Sequence, residues 1–355
     1  MTSLDTCTGL GIMSGTSLDG IDMALCRFSD DGRNAKFRII RACTVPYTPE
    51  FRDRLAYATE LSAIEYARLD VALGQLMAQH INRWLENSDK PDFIASHGHT
   101  IFHDPAAGLT AQIGSGAVIA ARTGITTVCD FRTGDVALSG QGAPLVPIGD
   151  ELLFGQYDAC LNLGGFSNIS YRSSGQRLAF DIAPCNMALN MLAEMLGQPF
   201  DRDGETARSG QLIPELCNKL NNLNYYRLPP PKSLGKEWFE ANFRPILCQF
   251  LETQAVQDCL RSVTEHIARQ IADTVPDAAK TMLATGGGAH NVFLIERLKA
   301  MWGGQIVVPD SLTIDYKEAL VFAFLGMLRL KGKENCLKSV TGASRNNCGG
   351  AVYVV

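Results

Sequence analysis

Residues 11–28, GIMSGTSLDGIDMALCRF, set two apolar arms around a small polar centre of Ser14, Gly15, Thr16, Ser17, Asp19 and Gly20. The arms read as strand, Gly/Ser turn, strand: a hairpin close to the start of the chain. Glycine lets backbone N–H groups approach an anion, and the hydroxyls of Ser14, Thr16 and Ser17 add donors. Asp19 and Asp22 lie on the second arm. Positions i and i+3 of an extended strand face opposite ways, so only one of the two looks into a site at the turn. A plain hairpin turn explains one such stretch as well as a phosphate cradle does.

The rest of the chain repeats the pattern. KFRIIRACTVPY is a third extended run ending at Pro46, and helical spacing follows from PEFRDRLAYATE through LENS, with Leu69, Leu73, Leu76, His80 and Trp84 on one face. PDFIASHGHTIFHD reads as a buried strand running into a polar loop, and GAVIAARTGITTVCDF as helix then strand. Then YDACLNLGGFSNISYRSS is again strand, glycine turn, strand. LAFDIAPCNMALNMLAEML reads as a strand ended by Asp181, a loop and an amphipathic helix. TMLATGGGAHNVFLIERLKAM is strand, turn and helix, GQIVVPD a strand, and YKEALVFAFLGMLRL an apolar helix. Alternating strands and helices give an α/β class, in two halves that each begin with a glycine-turned hairpin. Three glycine turns after apolar strands, SGTSLDG, NLGGFSN and ATGGGAHN, favour anion binding over three unrelated turns. None carries the Gly-Lys-Ser/Thr of a Walker A loop or the dinucleotide fingerprint. Triphosphate chemistry also needs a divalent cation held by carboxylates and water, which gives Asp19 and Asp22 a use. Asp181, followed by a loop and helix, suits a general base; a helix-starting aspartate is the plain alternative.

A chain of 355 residues is long for one core, so two domains are expected. Apolar residues make up 46% and charged residues 19%, an ordinary globular balance, and the net charge of −5 argues against nucleic acid as a partner. No apolar run has transmembrane length and the start lacks the shape of a signal peptide, which points to the cytoplasm and away from membranes. The eleven cysteines are odd in number and none is spaced C-x-x-C, so they read as small buried hydrophobes in a reducing compartment.

In chain order MSGTSLDGID, SHGHTIFHDP, QIGSG, DFRTGDVALSGQGAPLVP, NLGGFSNIS, FDIAPCNMALN, TGGGAHN and DYKEALVFAFLG resemble the anhydro-N-acetylmuramic acid kinases of bacterial cell-wall recycling. The likeness spans nearly the whole chain. It implies the sugar kinase/Hsp70/actin superfamily, with two RNase H-like lobes and a central nucleotide cleft. The first lobe would take residues 1–140, with a tail of about 335–355 returning to it, and the second 141–334. ATP would phosphorylate the 6-oxygen of 1,6-anhydro-N-acetylmuramic acid, an anhydro amino sugar, while water opens the anhydro ring.

By the same resemblance Asp181 is the catalytic base, and Gly15, Thr16, Ser17, Leu18, Asp19, Gly20, Ile21 and Asp22 form the ATP phosphate loop. Asp19 is the Mg²⁺ candidate. Gly164, Gly165, Gly286, Gly287, Gly288 and Asn291 serve the nucleotide, and His97, Arg132 and Glu318 the sugar. Chemistry makes Arg132 a bidentate partner for the lactyl carboxylate, with a structural salt bridge as the alternative. A homodimer follows from the family's habit. The sequence departs from the family at Ile182, Ala183 and Cys185, where a Thr and two glycines are usual, and at His99, where Gln is usual. Ala183 and Cys185 put side chains where the backbone was expected to approach phosphate or take a positive φ. His97, His99, His103 and Asp104 also invite a zinc reading, but hydrogen bonding in the loop or to substrate fits the resemblance better. A kinase for another sugar or hydroxy acid, and a nucleotide-dependent binding protein, stand as alternatives; turnover of ATP with and without the anhydro sugar separates them.

Overall fold

The computed structural model describes residues 5–15, 18–30, 35–86 and 89–355. Its strands in chain order are β1 (Asp5–Met13), β2 (Gly20–Asp30), β3 (Ala35–Pro46), β4 (Phe93–Ser96), β5 (His99–Asp104), β6 (Leu109–Ile113), β7 (Thr127–Cys129), β8 (Ala159–Leu163), β9 (Phe166–Ser173), β10 (Gln176–Pro184), β11 (Thr281–Thr285), β12 (Gln305–Val307) and β13 (Ala351–Tyr353). Contacts divide the chain into two compact units, Met1–Leu153 with Tyr316–Val355, and Phe154–Asp315.

The first unit holds a sheet of order β13-β7-β4-β1-β2-β3. β1, β2 and β3 are antiparallel, with Met13 opposite Asp22 at the mouth of the opening hairpin, and β4 runs parallel to β1. The second unit repeats this arrangement as β10-β9-β8-β11-β12, with β8–β10 antiparallel and β11 and β12 parallel. This is the doubled α/β, RNase H-like class expected from the sequence. In both units the glycine turn follows the first strand because that strand must hairpin back at once to pair with the second.

The boundaries differ from those read in the sequence, which put them at 140/141 and about 334/335. The helices Pro147–Leu153 and Ser311–Leu330 account for the difference. Lys317 and Asp150 form an ion pair of 2.6 Å with both residues buried, and Val321 packs where Gly149 lacks a side chain. Phe324 meets Phe28 of β2 at 5.6 Å between ring centroids. From Tyr316 onward the last helix therefore belongs to the first sheet, and a kink at Tyr316 (φ −116°, ψ 17°) marks the change. β13 then pairs with β7.

On the first sheet's other face lies the helix Ala63–Leu85, started where Ser62 N donates to Glu65 Oε2 at 3.1 Å. Its buried spine is Leu69, Leu73, Met77, Ile81 and Leu85, while Leu76, His80 and Trp84 are only half-buried. The face is rotated from the expected one because Trp84 sits at its rim under the Arg41 guanidinium, 4.1 Å from the ring. The segment after His97 also differs: it is a two-stranded ribbon, β5–β6, rather than a loop. All eleven cysteines are free, and Cys26, Cys160, Cys185, Cys259 and Cys336 are buried.

Gly11 of β1 shows how tightly the last helix is seated. A Cβ there would collide with the Ala319 carbonyl, a backbone atom that cannot swing away. Gly11→Val should lower stability by about 1–3 kcal/mol or more through overpacking, read as a fall in the denaturant midpoint; an unchanged midpoint would mean that the helix does not pack as described.

Candidate active site

In the first unit the turn after β1 is pinned from below. Ser14 is buried, and its Oγ lies 2.6 Å from Tyr47 Oη and 2.9 Å from His99 Nδ1. The Ser14 hydroxyl thus serves the protein and not an anion, contrary to its expected use as a donor. Leu18 N donates to Gly15 O at 3.2 Å, and Leu18 takes a left-handed φ of 61°, costly for a bulky residue. Thr16 and Ser17 lie outside the described residues. Gly20 is small because β3 passes close by, at Val45 O, and Ile21 is buried in the core. Asp22 accepts from Thr44 Oγ1 at 2.6 Å, while Asp19 is exposed. Among the described residues no three His, Cys, Asp or Glu side chains converge as a metal site. Asp19 and Asp22 fit a cation carried mainly by phosphates and water, which needs only one or two carboxylates from the protein.

The three histidines of SHGHTIFH have separate partners. His103 Nδ1 meets Thr110 Oγ1 at 3.0 Å, His99 meets Ser14, and His97 meets Arg132. A guanidinium can only donate, so His97 Nε2 must accept, from Arg132 Nε at 3.0 Å and Nη2 at 2.8 Å. Its Nδ1 then donates to Gly98 O at 2.9 Å, which fixes a neutral ring. Burial, and then the Arg132 charge, push the His97 pKa down to about 3. Arg132 Nη1 donates to Gly142 O at 2.6 Å. Burial brings the guanidinium down to about 10, against the opposing pull of Glu318, so it stays charged. One N–H remains on each terminal nitrogen, enough for a carboxylate. Glu318 is open to water, yet the protein around it, followed by the Asp22 charge, raises its pKa against Arg132 and Lys317.

Beneath Arg132 is an arrangement that sequence reasoning missed. Asp135 is fully buried; its Oδ2 accepts from Gly142 N at 2.8 Å. Its Oδ1 takes Thr341 Oγ1 at 2.9 Å and Asn347 Nδ2 at 2.7 Å. The C-terminal segment thereby fixes the Gly142 carbonyl that holds Arg132. The only signal in the sequence was the second aspartate of DFRTGD.

In the second unit Asp181 is half-buried on β10, within the strand and beside a bulge between Asp181 and Ala183; the strand continues to Pro184 instead of ending at the aspartate. Leu234 N donates to Asp181 Oδ2 at 2.8 Å, and no hydrogen bond reaches Oδ1 among the described residues. Burial raises the carboxyl pKa, and the Leu234 bond offsets part of the rise. Ile182, Ala183 and Cys185 are all buried in this unit's core. Cys185 has φ −119°, so the position needs no glycine, and burial pushes its thiol up to about 12. The side chains that replace the family's smaller residues therefore fill the interior.

Gly164 and Gly165 act through their carbonyls. Cys185 N and Met187 N donate to Gly165 O at 2.8 and 3.1 Å, and Asn186 N to Gly164 O at 3.0 Å. Of the glycine triplet, Gly286 has φ +80° and faces Asn162, Gly288 faces Leu163 and Asn186, and at Gly287 a Cβ would meet only the Asn186 side-chain amide, in ordinary contact at 3.7 Å. Asn291 Oδ1 caps the helix Val292–Trp302 by accepting from Leu294 N at 2.9 Å. Asn291 therefore has a structural duty that the sequence reading did not give it.

A family model described as anhydro-N-acetylmuramic acid kinase matches residues 8–355. Proteins named anhydro-N-acetylmuramic acid kinase include one from Nitrosomonas europaea, 37% identical over 97% of this chain and 99% of its own length. Another, from Aliivibrio fischeri, is 36% identical over 97% of this chain and 98% of its own length. A third, from Gloeobacter violaceus, is 35% identical over 96% and 97%. Together with the doubled fold these define a kinase, an enzyme that transfers phosphate from ATP. The chain belongs to the anhydro-N-acetylmuramic acid kinase family.

Two neutral buried histidines give the protein an acid sensitivity. His97 in the first unit and His266 in the second are both held down to about 3, mainly by burial. Folded values below the ordinary 6.5 mean that the unfolded chain takes up protons first as the pH falls, so stability is lost below about pH 6.5. At pH 5 each should cost about 2 kcal/mol. In urea titrations at pH 7 and pH 5, His266→Gln should remove about that much of the pH-dependent loss; a loss equal to that of the wild type would contradict it.

Proposed function

We propose that the chain phosphorylates O6 of 1,6-anhydro-N-acetylmuramic acid with ATP while water opens the anhydro bridge, giving N-acetylmuramic acid 6-phosphate and ADP. The observation that carries this reading is Asp181, a carboxylate of raised pKa with one oxygen anchored and the other unengaged. O6 begins as part of an ether and cannot attack phosphorus as a free hydroxyl. Asp181 takes a proton from water, the water oxygen bonds to C1, and the C1–O6 bond breaks toward O6. O6 then bonds to the γ-phosphorus as the bond to ADP breaks. A base poised closer to neutrality than an ordinary aspartate suits this task.

The side chains of the first unit support the sugar's place in the reaction. Arg132, oriented by His97 and Gly142 O, takes the lactyl carboxylate through its two remaining N–H groups, with Glu318 beside it. The turn at Gly15, Leu18 and Asp19 takes the phosphates, and Gly286–Gly288 with Gly164 and Gly165 take the rest of the nucleotide. Mg²⁺ held through Asp19 would offset the charge of the phosphates. The same reading makes the enzyme a cytoplasmic homodimer of peptidoglycan recycling. No helix among the described residues is long and apolar enough to cross a membrane.

Asp181→Asn keeps the shape and removes the proton acceptor. Its kcat should fall by about a hundred- to ten-thousand-fold with ATP and sugar binding retained by calorimetry; turnover within a few-fold of wild type would end the assignment. The acid limb of the wild-type kcat/KM profile should lie above the ordinary aspartate value of about 3.9, because burial raises this group. Arg132→Lys should weaken sugar binding by about 1.5–3 kcal/mol, seen as a rise in KM for the sugar and not for ATP. An equal rise in both would count against Arg132 as the carboxylate's partner.

A further inference from the structure

We infer that the run Tyr225–Leu234 is the positioning element of the catalytic base, that Tyr225 is its principal contact, and that Oδ1 of Asp181 is the atom that accepts the proton. The inference rests on Asp181 being the base.

β10 is the edge strand of its sheet, and Asp181 lies beside a bulge in it. Such a residue lacks a strand neighbour on one side and would be free to turn. The run supplies three bonds to this one residue. Asp181 N donates to Lys232 O at 3.1 Å, Tyr225 Oη donates to Asp181 O at 2.6 Å, and Leu234 N donates to Asp181 Oδ2 at 2.8 Å. The first two hold the backbone on either side of the Cα, and the third fixes the side-chain torsions. With Oδ2 already accepting from Leu234 N, Oδ1 is the oxygen with both lone pairs open to water.

The run is itself locked. Tyr225 is 5% exposed, its ring 5.3 Å from that of Trp238. The Lys232 ammonium sits 4.7 Å from the Tyr225 ring centroid and donates to Tyr225 O at 3.2 Å. Next in sequence, Tyr226 Oη pairs with His266 Nε2 at 2.9 Å. His266 Nδ1 meets Asn221 Oδ1 at 2.6 Å, and Gln270 Nε2 donates to the same oxygen at 3.0 Å. The chain of bonds thus passes from the base to the core helix Val256–Thr274, which carries His266 and Gln270. A base must aim one lone pair at one water, and a misplacement of about 1 Å can cost about a hundredfold in rate. The fixed run removes that freedom before substrate arrives.

The test is a double-mutant cycle on the whole enzyme. Tyr225→Phe removes one hydroxyl and keeps the ring under Lys232. It should lower kcat by about ten- to a hundredfold, with both KM values within about twofold and the melting temperature near that of the wild type. In the Asp181→Asn background the same change should alter the residual kcat by less than about twofold, because there is no base left to aim. A wild-type kcat for Tyr225→Phe, or an equal loss in both backgrounds, would overturn the inference. If Asp181→Asn alone is active, the base reading has failed instead, and the two failures are told apart. Leu234→Pro removes the N–H that holds the Asp181 pKa down, so the acid limb of kcat/KM should move to higher pH. Should Tyr225→Phe not fold, an unmoved limb in Leu234→Pro overturns the inference.

Discussion

The turn between β8 and β9 turns its carbonyls toward the start of the helix Asn186–Glu194, and the chemistry of the second unit depends on that contact. Gly164 O and Gly165 O accept three successive N–H groups, from Cys185 to Met187, and Leu163 O accepts the Asn186 amide at 3.0 Å. Ser167 Oγ bridges the same region, donating to Ala183 O at 3.1 Å and accepting from Ala183 N at 3.2 Å. The first N–H groups of a helix have no partner inside it and attract anions when left open. Here they are already satisfied by the protein, so this helix start is a structural joint. The joint fixes the end of β10, and with it the strand on which Asp181 is carried.

A second constraint governs the first unit. In the proposed reading Arg132 presents two free N–H groups while staying charged in partly buried surroundings. A hydrogen-bonded carboxylate partner would take up those N–H groups and, in the proposed reading, compete with the sugar's carboxylate; Glu318 acts on Arg132 through its charge. A neutral imidazole orients it without adding negative charge, and His97 has that state fixed by Gly98 O and by burial. Asp135 supports the same guanidinium at one remove, through Gly142, so its charge is spent on backbone and side-chain donors of the C-terminal segment. Thr341 and Asn347 thus brace Arg132 through Asp135 and Gly142.

Much of this was legible in the sequence. The doubled hairpin and the α/β class follow from local patterns, because strand pairing across a short turn is a local matter. The misses share a physical cause. Gly20 looked only like a phosphate residue, and its smallness also answers to β3, 25 residues away at Val45. Ser14 looked like a donor to an anion, but its partners come from Tyr47 and His99. Ala183 and Cys185 looked like side chains at a phosphate approach because sequence does not say which way a bulged strand turns its side chains. Tyr225 and Leu234, within YYRLPPPKSL, gave no signal at all in the sequence. Long-range hydrogen bonds and side-chain direction are what spacing rules leave out.

The central claim is that water, deprotonated by Asp181, attacks the anomeric carbon while O6 takes the phosphoryl group. A brief reaction in ¹⁸O-labelled water, with the product analysed by mass spectrometry before its reducing end can exchange, tests it most directly. The account expects one labelled oxygen at C1, none in the phosphate, and loss of this incorporation in Asp181→Asn. Early product without label at C1, label in the phosphate, or incorporation by Asp181→Asn at the wild-type rate would contradict it.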